Sequence, residues 1–253
     1  MIDIQKDIHV FSERKLVGIA AGKAVERCIL ELQEKQSEVR IIFAAAPSQT
    51  DMLKYLASSK KIKWHKVVAM NMDEYIGLPE NSSQLFSNFL EENLFSKVFL
   101  KEKNVINTHV QTATEIERYS ELINEDIIDI VCLGIGENGH IAFNDPPVAD
   151  FEDPKVIKIV DLDDACKVQQ VNDGCFETIE KVPKTALTLT VPTLMKGKNL
   201  FCVVLGENKS EAVKNTLSGP VSTSCPASIL TTHPNCQFYF DQEAIKKVEY
   251  LLE

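Results

Sequence analysis

Short apolar runs that alternate with segments of helical period constrain this chain more than any other feature. Val39-Arg40-Ile41-Ile42-Phe43-Ala44, Lys66-Val67-Val68-Ala69-Met70, Ile127-Ile128-Asp129-Ile130-Val131-Cys132-Leu133 and Asn199-Leu200-Phe201-Cys202-Val203-Val204-Leu205 have the length and β-branched content of buried strands. Gln237-Phe238-Tyr239-Phe240 is another. A long amphipathic helix is expected over 12–36, with Leu16, Ala20, Ala24, Cys28 and Leu32 on one stripe. Shorter helices are expected near 50–59, up to 94 after caps at Ser82 and Ser83, and over 113–125 and 207–217, with a terminal helix after the last strand. Such alternation predicts an α/β protein with a mainly parallel sheet and helices on both faces. No Pro/Gly/Ser-rich linker divides the chain, so a single domain over 1–253 is expected. The segment 148–182 is polar, acidic and poorly periodic, and reads as a mobile lid over the site rather than core.

A formal charge of −10 argues against non-specific nucleic-acid binding, which needs a basic face. It leaves an anionic substrate open, because local groups decide that. The opening MIDIQKDIHVFSERK carries charges throughout, unlike a secretory signal, and no stretch approaches the ~18 apolar residues of a membrane span. Seven cysteines, at 28, 132, 166, 175, 202, 225 and 236, include no CxxC pair and read as reduced thiols of a cytoplasmic protein. Cys225, His233 and Cys236 lack a fourth ligand and a metal-site spacing, so they read as structural.

Chemistry concentrates in four loops that follow strands. Residues 134–147, GIGENGHIAFNDPP, put His140 and Asp145 on a glycine-punctuated turn that Pro146 and Pro147 keep from becoming helical. An imidazole beside a carboxylate at the carboxyl end of a strand is where open α/β sheets place reactive groups. In Asn71-Met72-Asp73-Glu74-Tyr75, the adjacent carboxylates face opposite ways along a strand, so one can enter a site while the other makes a structural contact. Ala44-Ala45-Ala46-Pro47-Ser48-Gln49-Thr50 enters a helix whose positive end can hold a phosphate; an ordinary helix cap is the alternative. Lys209, in Leu205-Gly206-Glu207-Asn208-Lys209, lies at another helix start, an awkward place for a cation unless an anion binds there. Together these groups suit proton transfer on a phosphorylated small molecule.

NMDEYIGLP at 71–79, GIGENGHIAFNDPP at 134–147, VPKTALT at 182–188 and LGENK at 205–209 resemble the glucosamine-6-phosphate deaminase/isomerase family, related in fold to the 6-phosphogluconolactonases. The resemblance covers about residues 10–245. It implies a Rossmann-like, three-layer α/β sandwich and metal-independent isomerisation with loss of ammonia, glucosamine 6-phosphate giving fructose 6-phosphate. Asp73 matches the base that moves a proton between C2 and C1. His140 matches the residue that helps open the sugar ring, with Asp145 as its acidic partner and Asn138 at the next position of that relay. Lys209 and the turn around Ala46, Ser48 and Gln49 match the phosphate site, and Gly136 lies on the substrate side of the histidine loop. No cofactor is implied, and family members often assemble as homo-oligomers.

The departures bear on substrate. The phosphate turn is AAAPSQT rather than rich in glycine and threonine, and Pro47 removes an amide donor. Asn138 stands where many members have aspartate, and can orient a histidine without supplying charge. Asp145 is one methylene shorter than the usual glutamate. No arginine follows Arg118, so the family's phosphate-clamping arginine is missing, with Lys158 or Lys167 as candidate replacements. A lactonase-like sugar-phosphate hydrolase and a non-catalytic sugar-phosphate-binding protein are the alternative functions.

Overall fold

The computed structural model describes residues 7–248 and 250. Among the described residues the strands are β1 Ile8–Phe11, β2 Val39–Phe43, β3 Val67–Asn71, β4 Asp73–Tyr75, β5 Glu102–Asn104, β6 Ile130–Leu133, β7 Ile157–Asp161, β8 Thr185–Leu189, β9 Asn199–Val204 and β10 Cys236–Asp241. The α-helices are α1 Arg14–Lys35, α2 Thr50–Ser58, α3 Phe86–Asn93, α4 Thr112–Asn124, α5 Asp164–Asn172, α6 Val191–Met195, α7 Ser210–Ser218 and α8 Gln242–Ile245. Seven strands form one sheet in the order β1-β10-β9-β6-β2-β3-β5, every neighbouring pair parallel. The expected α/β architecture with helices on both faces is what the chain forms.

The central strands are apolar throughout because both faces are covered. Val39, Ile41 and Phe43 of β2 join one cluster with Ile130 and Cys132 of β6, Phe201 and Val203 of β9, and α1, α2 and α3. Ile42, Val131, Leu133, Cys202 and Val204 point the other way, into a second cluster with α4, α6, α7 and α8. That two-residue alternation produces the three layers.

The inner face of α1 is turned slightly from the expected stripe, of which Ala24 is buried and Ala20, Cys28 and Leu32 pack at the edge of the same core. Leu16 is 42% exposed, whereas Val17, Ala21, Val25 and Ile29 are fully buried. Gly18 and Gly22 set the rotation. A Cβ on Gly18 would lie 2.5 Å from the Asp51 Cβ, and one on Gly22 would lie 2.7 Å from the Tyr55 ring. The absent side chains let α1 settle on α2, so its small residues face inward.

A second, three-stranded antiparallel sheet, β4-β8-β7, has no counterpart in the strands expected from sequence. The presumed lid segment contributes β7, which pairs with β8 from Ile157↔Leu189 to Asp161↔Thr185. It also supplies Val160, Leu162, Cys166 and Phe176 to a small core around Tyr75 and Phe143. Much of 148–182 is therefore packed structure, with α5 left lying over the site. Among the described residues no helix is long and apolar enough to cross a membrane.

Gly22→Val should force α1 away from Tyr55 and cost about 1–3 kcal/mol, the usual penalty for overpacking. Urea unfolding followed by circular dichroism measures this; an unchanged midpoint would contradict the close α1–α2 approach.

Candidate active site

Strands β9, β6, β2 and β3 are consecutive in the sheet, and the four reactive loops leave their carboxyl ends. From β2 the chain first moves outward to β3 and β5, then returns to the other side of β2 at β6 and moves to β9 and β10. A crevice opens where that direction reverses. Ala46, Ser48, Asp73, Gly136, His140 and Lys209 line it, enclosing about 710 Å³ when the solvent-open mouth is counted. A larger and more open hollow, about 1020 Å³, lies behind α3 between Asn88, His109 and Arg118. Asp73, His140 and Lys209 border only the first, so convergent chemistry rather than size identifies the site.

Asp73 reaches the cleft because the chain changes sheets between β3 and β4. Asn71 pins the transition: its Nδ2 donates to the Asp73 carbonyl at 2.9 Å, and its Oδ1 accepts from Ile106 N at 2.9 Å. In β4, Asp73 pairs with Thr188 of β8. The Thr188 hydroxyl in turn accepts from Phe143 N at 3.1 Å, which joins the Asp73 strand to the histidine loop. The two adjacent carboxylates then divide as strand alternation requires. Glu74 accepts from Tyr75 N, Phe86 N and Ser87 N at 3.0, 2.9 and 2.8 Å, capping α3 in place of the expected serines. Ser82 instead bonds Gln84 outside the helix. Asp73 is buried in the cleft wall, and burial, followed by the charge of Glu74, holds its carboxyl well above the ordinary range.

The histidine loop folds back tightly. Gly136 N donates to the His140 carbonyl at 2.9 Å, and Gly139, at φ +85°, donates to the Gly136 carbonyl at 3.0 Å. The His140 ring rests on the bare Gly136 Cα: a Cβ there would come within 2.2–2.4 Å of Cε1, Nε2 and Nδ1. His140 Nδ1 is 2.9 Å from Asp145 Oδ1. Asn138 Nδ2 donates to that same oxygen at 2.9 Å, and Asn138 Oδ1 accepts from His140 N at 3.1 Å. Burial pushes the Asp145 carboxyl up, but His140, the Asn138 amide and the Asp163 backbone outweigh it and hold it below the ordinary value. Asn138 and Asp145 thus stand behind the imidazole and outside the cleft lining.

At the opposite end, Ala44 to Ser48 form one wall, and a 3-10 turn over Pro47–Gln49 leads into α2. Gln49 departs from the expected substrate contact. Its side chain is fully buried beneath the turn, its Nε2 donating to Ser48 Oγ, the Leu133 carbonyl and the Val203 carbonyl at 3.0, 3.3 and 3.3 Å. It ties the ends of β6 and β9 to the turn and lies outside the cleft lining. Lys209 is 9% exposed, and its Nζ has no hydrogen-bond partner. Burial lowers its pKa, against the partial opposition of Asp173 and Glu137. Its turn is fixed by Asp241, whose two oxygens accept from Gly206 N at 3.0 Å each.

Neither candidate replacement for the missing arginine lines the cleft. Lys158 donates to the Val148 carbonyl at 2.7 Å and to Asp153 at 2.8 Å, and Lys167 pairs with Asp164 at 3.1 Å. The lining also holds residues the motifs did not signal: Arg14 from α1, Phe86, Phe143, and Gln169, Gln170 and Asp173 around α5. Gln169 Oε1 accepts from Glu137 N at 2.7 Å, latching α5 to the histidine loop. A polar helix over a distant cleft carries no local sequence mark.

For metals, Cys166 Sγ lies with ligand atoms of His140 and Asp145, all within 4.8 Å of one another. Burial drives the Cys166 thiol well above its ordinary pKa, and Asp145 is committed to His140 and Asn138, so the set suits a neutral thiol beside a histidine–aspartate pair. Of the weaker trio, His233 Nε2 lies 2.8 Å from the Gly197 carbonyl and its Nδ1 accepts from Asn235 N at 3.2 Å. Both nitrogens are occupied, consistent with a structural role.

Known proteins are similar to this chain as a whole. A glucosamine-6-phosphate deaminase of Listeria monocytogenes serotype 4a (strain HCC23) is 35% identical over 236 residues, 93% of this chain and 97% of that protein. Another, from Bacillus thuringiensis (strain Al Hakam), is 37% identical over 186 residues, 73% of this chain and 69% of that one. Among solved structures, a monomeric glucosamine-6-phosphate deaminase superposes with a TM-score of 0.85 at 24% identity, over 95% of this chain and 99% of that one. The 6-phosphogluconolactonase of Trypanosoma brucei gives 0.80 at 17% identity, over 96% and 98%. These two share the fold. The sequence profile described as glucosamine-6-phosphate isomerases/6-phosphogluconolactonase matches residues 12–238, and the chain belongs to that family.

Proposed function

We propose that this chain isomerises and deaminates an amino-sugar phosphate, glucosamine 6-phosphate giving fructose 6-phosphate and ammonia, without a metal. The observation that carries this reading is one cleft holding a buried carboxylate, an imidazole backed by a carboxylate, and a buried ammonium, the first accepting no donor and the last without a hydrogen-bond partner among the described residues. The relatives named as glucosamine-6-phosphate deaminases support the substrate.

The phosphate sits against Lys209 and the Ala46–Ser48 turn, at the positive end of α2. His140 moves the anomeric hydroxyl proton to the ring oxygen, and the C1–O5 bond breaks to open the sugar. Asp145 holds the imidazole in place, and Asn138 braces both. Asp73 then takes the C2 proton. The released electron pair forms the C1=C2 bond while the aldehyde oxygen gains a proton. Return of the proton to C1 gives a C2 imine, and water adds there to expel ammonia. A carboxylate suits this transfer because burial has raised its basicity. We assign α5 the lid, with Gln169 and Glu137 as its latch. Seven free cysteines suit a reducing cytoplasm.

Purified protein should release ammonia and fructose 6-phosphate from glucosamine 6-phosphate, and Asp73→Asn should lower kcat at least ~10³-fold. Hydrolysis of 6-phosphogluconolactone with no ammonia from any hexosamine phosphate would transfer the chain to the lactonases.

The same carboxylate sets a pH dependence. Asp73 must be ionised to act, and its raised pKa places the acid limb of kcat/KM well above pH ~4, the ordinary carboxylate value. The fold binds this proton more tightly than the unfolded chain. Stability from this group is therefore full at low pH and lost as pH rises through the folded pKa. Asp73→Asn should gain about 1 kcal/mol at pH 7, a melting-temperature rise of roughly 2–4 °C. An acid limb near pH 4, or a less stable variant, would contradict the buried ionised base.

Gly136→Ala should push the His140 ring off its seat and lower kcat by about 10²-fold or more. Near-normal turnover would show that ring opening does not depend on that position.

A further inference from the structure

We propose that Arg14 is the second phosphate ligand of this site, supplying from the start of α1 the guanidinium absent after residue 118. This rests on the reading that the cleft takes a sugar phosphate.

The packing of α1 brings Arg14 there. Gly18 is one helical turn further along the same face. A Cβ on it would meet Asp51 Cβ at 2.5 Å and Met52 N at 3.0 Å, in the first turn of α2. The turn that opens α2 is the Pro47–Gln49 wall of the cleft. Contact at Gly18 therefore anchors the first turn of α1 beside that wall, and Arg14 lines the cleft together with Ala46, Ser48 and Lys209.

Electrostatics leaves this end of the cleft short of an anion. The first turn of α1 holds Arg14 and Lys15 and no acidic residue, and Glu13 at its N-cap makes no side-chain cap bond, so two cations sit at the positive end of a 22-residue helix with one adjoining carboxylate. Among the described residues Arg14 has no hydrogen bond or ion pair. Independently, the Lys209 ammonium is buried without a hydrogen-bond partner in the same cleft. The other candidates are engaged: Arg40 with the Leu122 carbonyl, Arg118 with Glu115, Lys158 with Asp153 and Lys167 with Asp164. One lysine neutralises half of a phosphate dianion. A planar guanidinium gripping two phosphate oxygens supplies the remainder and fixes the phosphate's orientation. Held at that end, the sugar is constrained in how it presents C1 and C2 to Asp73.

The test uses the full-length chain with Arg14→Ala, Arg14→Lys and Lys167→Ala, each checked for unchanged circular dichroism. Inorganic phosphate binding, measured by calorimetry, should weaken about tenfold or more in Arg14→Ala, recover partly in Arg14→Lys and stay near wild type in Lys167→Ala. For glucosamine 6-phosphate, Arg14→Ala should raise KM about tenfold with kcat within about twofold. Phosphate affinity and KM unchanged in Arg14→Ala, or lost only in Lys167→Ala, would overturn the assignment while wild-type turnover keeps the deaminase reading intact. Phosphate binding that depends on Arg14 in a protein that turns over no hexosamine phosphate would keep Arg14 and remove the deaminase. Wild type that neither binds phosphate nor turns over substrate would remove both.

Discussion

Everything at this site depends on the Asp73 carboxylate being withdrawn from water without being given a hydrogen-bond donor. The backbone does this by changing sheets at Asn71, whose amide spans the transition while the Tyr119 hydroxyl donates to its carbonyl at 2.7 Å. β4 is three residues long, so Asp73 and Glu74 have almost the same position and opposite surroundings. Glu74 meets three backbone N–H groups at a helix start, where a negative charge is welcome. Asp73 meets the cleft. Both are pushed up by burial, but only Glu74 has donors to hold it back. A strongly solvated carboxylate would be a poor base for a carbon-bound proton, and one fully satisfied by donors would be no better. On the proposed function the fold would accept an unfavourable buried charge where the chemistry needs basicity, and the two large cores on either side of the sheet carry the stability to tolerate it.

The histidine loop solves a different problem, that of orientation. His140 needs a fixed ring, and three features fix it: the bare Cα of Gly136 beneath it, Asp145 behind it, and Asn138 bonded to both Asp145 and the His140 backbone. The Asn138 amide makes both contacts without adding negative charge, its Nδ2 donating to Asp145 and its Oδ1 accepting from His140 N, and an aspartate there could make only the second. Asp145 is the carboxylate beside the imidazole: its Oδ1 lies 2.9 Å from His140 Nδ1 and accepts from Asn138 Nδ2. Aspartate's short reach suits this arrangement because the loop folds tightly enough to bring it to the ring.

What the sequence displayed and what it concealed follow from the range of the interactions. Central strands were legible because burial on both faces writes a continuous apolar run. The four loops were legible because each follows such a run. The small sheet was not: β4 is too short for a pattern, and β7 alternates buried Val160 with exposed Ile159 amid acidic residues. The α1 stripe was legible except at Leu16, because glycines, which carry no hydrophobic signal, decide which side approaches α2. Gln49 looked like a substrate contact from its place in the turn. Its three acceptors include two strand-end carbonyls far away in sequence, which no local pattern reveals. Lys158 and Lys167 were plausible by charge alone; their carboxylate partners became visible only with the fold.

A chain of net charge −10 can hold an anion because the field that matters is local. The cleft is polarised along its length. One end carries Asp73, and the other carries Lys209, Arg14 and the positive ends of α1 and α2. Asp173 and Glu137, partly exposed beside α5, are the nearest acidic groups acting on Lys209 and form no ion pair with it. On the proposed function, a phosphate at the basic end would give that ammonium the partner burial denies it. Binding and proton transfer thus draw on one asymmetry. A sugar lacking its phosphate would fill the crevice yet leave Lys209 desolvated and unpaired, so on the proposed function the phosphate contributes chiefly binding energy at the basic end of the cleft.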